Sequence, residues 1–132
     1  MTSAEATPGR PGGRQIRLGL MIFFLAGVFV QFYLAGRGIF GASSIKAHKD
    51  WGNVLHIISL IILIATVAIP ASRTARDIQM AVSLFVLVTI QVIIGTTDHP
   101  QVGAFHPVVA LLIVGLSFGM LGRDREFLAA SG

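Results

Sequence analysis

A chain of 132 residues that is 54% hydrophobic and only 12% charged, with no cysteine and a net charge of +4, falls outside the soluble classes. A soluble domain carries roughly 25% charged residues, and a disordered chain carries more charge and far less aliphatic content. The ten Lys and Arg are spread over short segments rather than gathered on the single face that phosphate binding needs, so no nucleic-acid partner is expected. Without cysteine, disulfides, iron–sulfur clusters and thiol chemistry are excluded, and any metal must be held by histidine or oxygen.

Residues 1–17 are rich in Gly, Pro, Ser, Thr and Arg and are expected to form a disordered tail. Four stretches free of Lys, Arg, Asp and Glu follow, Leu18–Gly36, Trp51–Ser72, Ile78–Thr97 and Val102–Gly122. Each is about the 20 residues that a helix needs to cross a bilayer. They predict an all-α integral membrane four-helix bundle over 18–122, with 123–132 as a second tail. The first span follows Arg10, Arg14 and Arg17 and precedes the small residues Gly41-Ala42-Ser43. It resembles a signal peptide in that respect, but its apolar stretch is too long for an h-region, which predicts a retained span.

Arg10, Arg14, Arg17, Arg73, Arg76, Arg123 and Arg125 fall in the tails and second loop, against Arg37, Lys46 and Lys49 in the first loop and none in the third. The positive-inside rule then places both termini in the cytoplasm, with loops one and three outside. All four histidines, His48, His56, His99 and His106, belong to the outer side.

The spans carry signs of duplication. Val30-Gln31-Phe32-Tyr33-Leu34-Ala35-Gly36 parallels Ile90-Gln91-Val92-Ile93-Ile94-Gly95, each with a lone Gln a turn before a Gly. His48-x-x-x-Gly52 followed by His56 parallels His99-x-x-x-Gly103 followed by His106. Two fused hairpins that both start on one side form parallel repeats, related by a pseudo-twofold axis along the membrane normal.

An ionisable residue inside a span is costly and by default marks function. His56 lies seventeen residues before Arg73, and His106 seventeen before Arg123, which puts both about 25 Å above the inner anchors. Two imidazoles level on diagonal helices suit the axial ligation of one b-type haem. Ser59 and Ala110 would leave room for the macrocycle, and Arg37, Lys46 and Lys49, anomalous on the outer side, would meet its carboxylates or lipid headgroups. His48 and His99, equivalent under the repeat, would touch the haem edge, hold a second cofactor, or face solvent; His48 could also replace His56 as ligand. Gln31 and Gln91 would orient a ligand histidine or hydrogen-bond between helices.

The segments Gln31 to Gly36, His48 to Gly52 and His106-Pro107-Val108-Val109-Ala110 resemble a group of small bacterial four-helix membrane proteins with the pattern Q-x-x-x-A-G, H-x-x-x-G and H-P-x-x-A. The chain is also similar to one half of a haem A synthase, over roughly residues 18–122. The resemblance implies the bundle and a haem site at His56 or His48 with His106. Haem A synthases carry an acidic residue one turn before the helix-two histidine, where this chain has Asn53, and many have a cysteine pair absent here.

Three functions compete on this reading. The first is a bis-histidine haem b protein passing electrons to or from a quinone or a membrane redox complex. The second is an accessory subunit of a respiratory or photosynthetic assembly, and the third a haem-modifying enzyme. An oligomer is compatible with each.

Overall fold

The structure, a computed structural model, describes residues 11–132. Its elements are α1 (Pro11–Ile39), α2 (Lys46–Ala68), a 3-10 turn (Pro70–Ser72), α3 (Ala75–Thr96), the single turn α4 (Pro100–Gly103) and α5 (His106–Ala130). Proline and threonine set the breaks. Pro70 follows the end of α2 and opens the 3-10 turn, and Pro100 and Pro107 sit in the first turns of α4 and α5, where a missing N–H is not needed. Thr74 caps α3, its hydroxyl oxygen accepting from the Asp77 backbone N–H at 3.1 Å. Gly41, at φ 72°, makes the turn after α1, where a side chain would be strained.

The four long helices are each long and apolar enough to cross a membrane. Their bulky residues face outward as well as inward: Phe23, Ile57 and Leu111 are all more than half exposed. A helix apolar on every side belongs in lipid. The chain is an all-α, multi-pass membrane protein.

α1 packs against α2 and α5, and so does α3, which leaves α1 opposite α3 and α2 opposite α5 across the bundle. The inward residues repeat between diagonal helices. A shift of 60 positions carries Met21, Phe24 and Val28 of α1 onto Ala81, Leu84 and Val88 of α3. A shift of 58 carries Leu55, Ser59, Ile62 and Thr66 of α2 onto Ile113, Ser117, Met120 and Asp124 of α5, every one of them buried. The chain is two equivalent helical hairpins about an axis running along the bundle.

The expected tails need correction. The helix begins at Pro11 rather than after residue 17, and α5 continues to Ala130 rather than stopping at 122; residues 1–10 lie outside the described residues. The cause is a buried ion network at the end holding the α2–α3 connection. Arg14 donates to Asp77 at 2.7 Å and to Asp124 at 2.6 Å, and Arg17 reaches both carboxylates. Arg123 donates to Asp77 at 3.0 Å, and the Arg14 Nε to the Ala71 carbonyl at 2.8 Å. Both aspartates, with Arg14 and Arg17, are buried. Charges with this many partners extend the helices past the apolar stretches, because each desolvated ion finds several opposite groups.

Candidate functional site

At the opposite end, beside the α1–α2 connection, the bundle has a partly open cavity of about 540 Å³, within the range of about 300–1,000 Å³ found for cofactor and small-molecule pockets. Its lining follows the internal repeat. Val28, Gln31, Phe32, Ala35 and Gly36 of α1 face Val88, Gln91, Val92, Gly95 and Thr96 of α3, while His48, Lys49, Gly52 and Leu55 of α2 face His106, Pro107, Ala110 and Ile113 of α5. The cavity lies on the pseudo-twofold axis. Its walls are mostly apolar, with His48, His106, Gln31, Gln91, Asn53, Thr96 and Lys49 as the polar residues.

His48 and His106 meet across the diagonal, with ring centroids 5.8 Å apart and planes inclined by 59°. His48 is in the first turn of α2 and His106 is the first residue of α5. The His48 Nδ1 lies 3.2 Å from the backbone carbonyl oxygen of Gln31. The Gln31 side chain donates from Nε2 to the His48 carbonyl at 2.9 Å and approaches its Nε2 at 3.4 Å. A carbonyl can only accept and an amide nitrogen only donate, so both neighbours favour the tautomer with the proton on Nδ1. The Nε2 lone pair then faces the Gln31 amide N–H, which would have to turn away before that nitrogen could bind a metal.

His106 repeats this more loosely. It is turned toward the Gln91 backbone, but its Nδ1 is buried and short of hydrogen-bonding geometry. The side-chain oxygens of Gln31 and Gln91 are also buried without partners. Close packing on glycine leaves room for these groups. A Cβ on Gly95 would stand 3.2 Å from the His106 Cε1, and one on Gly52 would stand 3.0 Å from the Gln31 Nε2.

His56 is not in the cavity, contrary to the expectation that pairs it with His106. Its Nε2 lies 2.9 Å from the Thr89 hydroxyl, which donates in turn to the Phe85 carbonyl at 2.8 Å, and its ring stacks on Phe85 at 5.2 Å. The reason is helical phase and depth. The inward stripe of α2 runs through 48, 52, 55 and 59, so residue 56 turns toward α3. Eight residues separate His56 from His48, or about 12 Å along the helix. The repeat therefore matches His48 with His106, and Val114 stands where His56 would recur.

The other expected residues divide. Lys49 is exposed but lines the cavity rim. Lys46 pairs with Asp50 on the surface. The Arg37 guanidinium lies 5.9 Å from the centre of the Tyr33 ring and reaches the Ala42 carbonyl at 3.4 Å, outside the lining. His99 is exposed at the start of α4, its backbone N–H 3.3 Å from the Thr97 hydroxyl, and it is not brought to His48. Asn53 is in the lining. Asp77 and Asp124 were not among the residues singled out by sequence reasoning; their signal is an acidic side chain immediately beside an apolar span.

Fold and site together define a class: a membrane four-helix bundle made of two like hairpins, with a paired-histidine cavity on the axis between them. The model of a family of unknown function, DUF6220, matches residues 31–97, just over half of the chain, and the chain belongs to that family. The match takes in Gln31, His48, His56 and Gln91 and stops short of His99 and His106. No curated protein and no solved structure matches the chain.

Proposed function

We propose that the cavity holds one b-type haem with His48 and His106 as its two axial ligands, and that the protein passes electrons within a bacterial cytoplasmic membrane. The observation that carries the reading is the opposed pair of imidazoles. Two nitrogens bound on either side of one iron, at metal–nitrogen distances of about 2 Å, bring the imidazole centroids to roughly 6 Å apart, and the rings here stand at 5.8 Å. Among the described residues no three His, Asp or Glu side chains converge to hold a metal ion. Two donors suit an iron whose other ligands come with a macrocycle better than they suit a bare ion.

Haem supplies a one-electron couple, and two protein ligands leave its iron no open position, which favours electron transfer over oxygen chemistry. The residues of the chain do the rest. The Gln31 carbonyl orients His48 and raises the basicity of its Nε2. Gly52, Gly95 and Ala110 keep the walls back, and most of the lining is apolar. Lys49 at the rim is placed to meet a carboxylate. Basic residues on the α2–α3 side orient that end, with both termini, toward the cytoplasm, so the cavity opens near the outer face, where a quinone or a membrane redox partner would exchange electrons.

Absorption spectroscopy of the detergent-purified chain, expressed with ample haem, tests this. The expected result is a sharp Soret band and a reduced alpha band of a low-spin haem, lost in His48→Ala and unchanged in His56→Ala. A colourless preparation would overturn the reading and favour an accessory subunit without its own cofactor.

A further inference from the structure

We infer that the outer seam between α2 and α3 at His56 binds the headgroup of a membrane-soluble hydroquinone, one hydroxyl of which donates to the His56 Nδ1. As a binding site this stands apart from the haem; as the route by which electrons reach the cavity it rests on the haem reading above. The Thr89 hydroxyl gives its proton to the Phe85 carbonyl at 2.8 Å, so toward the His56 Nε2, 2.9 Å away, its oxygen accepts. Nε2 therefore carries the ring hydrogen, and Nδ1 of the neutral imidazole is a bare acceptor. That nitrogen has no partner among the described residues, yet it is not sealed inside the bundle as the His106 Nδ1 is. Ile57, Leu60, Val86 and Ile93, all exposed, surround the seam with the apolar surface that meets lipid. An acceptor left unpaired against hydrocarbon is costly, and a donor that travels in the lipid satisfies it.

The internal repeat sets this seam apart from its twin. Asn53, His56 and Leu60 on α2 answer to Leu111, Val114 and Phe118 on α5, and Phe85 and Thr89 on α3 answer to Leu25 and Phe29 on α1. The α1–α5 seam is apolar where the α2–α3 seam is polar, so joining the hairpins does not require these polar groups. Asn53 is exposed and lies one turn before His56, about 4.5 Å along the axis. It lines the cavity, as does Val92 one turn beyond Thr89, so the seam leads from the cavity mouth down to His56. Two polar side chains a turn apart suit a flat ring with a hydroxyl at each end, and the Phe85 ring stacked on His56 at 5.2 Å offers such a ring an aromatic neighbour. A sterol, with its single hydroxyl and no aromatic ring, would use His56 and leave Asn53 idle.

Imidazole nitrogen NMR of the full-length chain, with isotopically labelled histidine and in detergent micelles, tests the site without haem. Titration with decylhydroquinone is expected to move the His56 Nδ1 resonance, identified by its loss in His56→Gln, in a saturable way. Asn53→Leu, which copies the residue of the apolar seam and keeps the His56 signal, is expected to weaken that binding roughly 3-fold. In the haem-loaded chain, His56→Ala is expected to raise the decylhydroquinone concentration for half-maximal haem reduction by roughly 10-fold, the upper end for one hydrogen bond, while the dithionite-reduced spectrum stays that of the wild type. A His56 resonance indifferent to decylhydroquinone, or shifts confined to His48 and His106, overturn the inference and leave the haem reading in place. So does equal reduction of the wild type and His56→Ala. Saturable shifts at His56 in a chain that takes up no haem support the binding site and overturn the haem reading.

Discussion

Arg17 and Asp124 form a salt bridge in which both side chains are fully buried, joining the start of the first helix to the last turns of the fifth. Asp124 also binds Arg14, so neutralising it leaves two buried guanidinium groups to share Asp77 alone. Breaking a buried pair by removing one partner costs about 3–5 kcal/mol. Asp124→Asn is therefore expected to lower stability by that amount in denaturant or thermal unfolding of the solubilised protein. Arg123, whose side chain keeps 29% of its exposure, sits at the rim of the same network, and Arg123→Ala is expected to cost about 1 kcal/mol or less.

Gln31 braces His48 with both its backbone and its side chain. Gln31→Leu removes the amide bond to the His48 carbonyl while keeping the bulk. Haem titration of this variant is expected to show affinity lowered by about 10-fold, the low end for loss of an outer partner, because the backbone contact to Nδ1 remains. Unchanged affinity would mean that the side chain serves only to join α1 to α2.

Gly95 offers a steric test. In Gly95→Ala the new methyl group meets the His106 ring at 3.2 Å, so the ring must shift and the low-spin spectrum should weaken. Gly115→Ala, on the same helix as His106 but with open space around it, should leave the spectrum intact and raise stability by up to about 1 kcal/mol through helix propensity.

His56 and Thr89 tie α2 to α3 within the apolar part of the bundle. His56→Ala and Thr89→Val should each cost about 1–2 kcal/mol in unfolding, and a double-mutant cycle should give a coupling of about 0.6 kcal/mol, the usual strength of such bonds in membrane helices. Neither change should move the haem spectrum.

The four spans were legible because lipid demands an uninterrupted apolar stretch, and so was the pairing of Gln31 with Gln91, two polar letters in an apolar background. Depth was harder to read. Arg73 and Arg123 served as rulers for the histidines, but α2 ends at Ala68 and turns before Arg73, while α5 runs on through Arg123. Thr66 and Asp124 are the true equivalents, and each lies eighteen residues after a cavity histidine, His48 and His106. The inner network was hidden because arginines beside a span are read first as topological signals. Only the folded bundle brings Asp77 and Asp124, 47 residues apart in sequence, to the same pair of guanidinium groups.

That network has a further effect on how the hairpins choose each other. At equivalent places the first hairpin carries Arg17 and the second Asp77, and Thr66 of the first answers to Asp124 of the second. Two copies of the first hairpin would bury arginines with no carboxylate between them, and two copies of the second would bury four carboxylates with only the half-buried Arg123 side chains to answer them. Each self-match is penalised by like charge, and the mixed pair satisfies both sets. The two halves, alike in shape, are complementary in charge, so the inner end of each hairpin finds its match in the other.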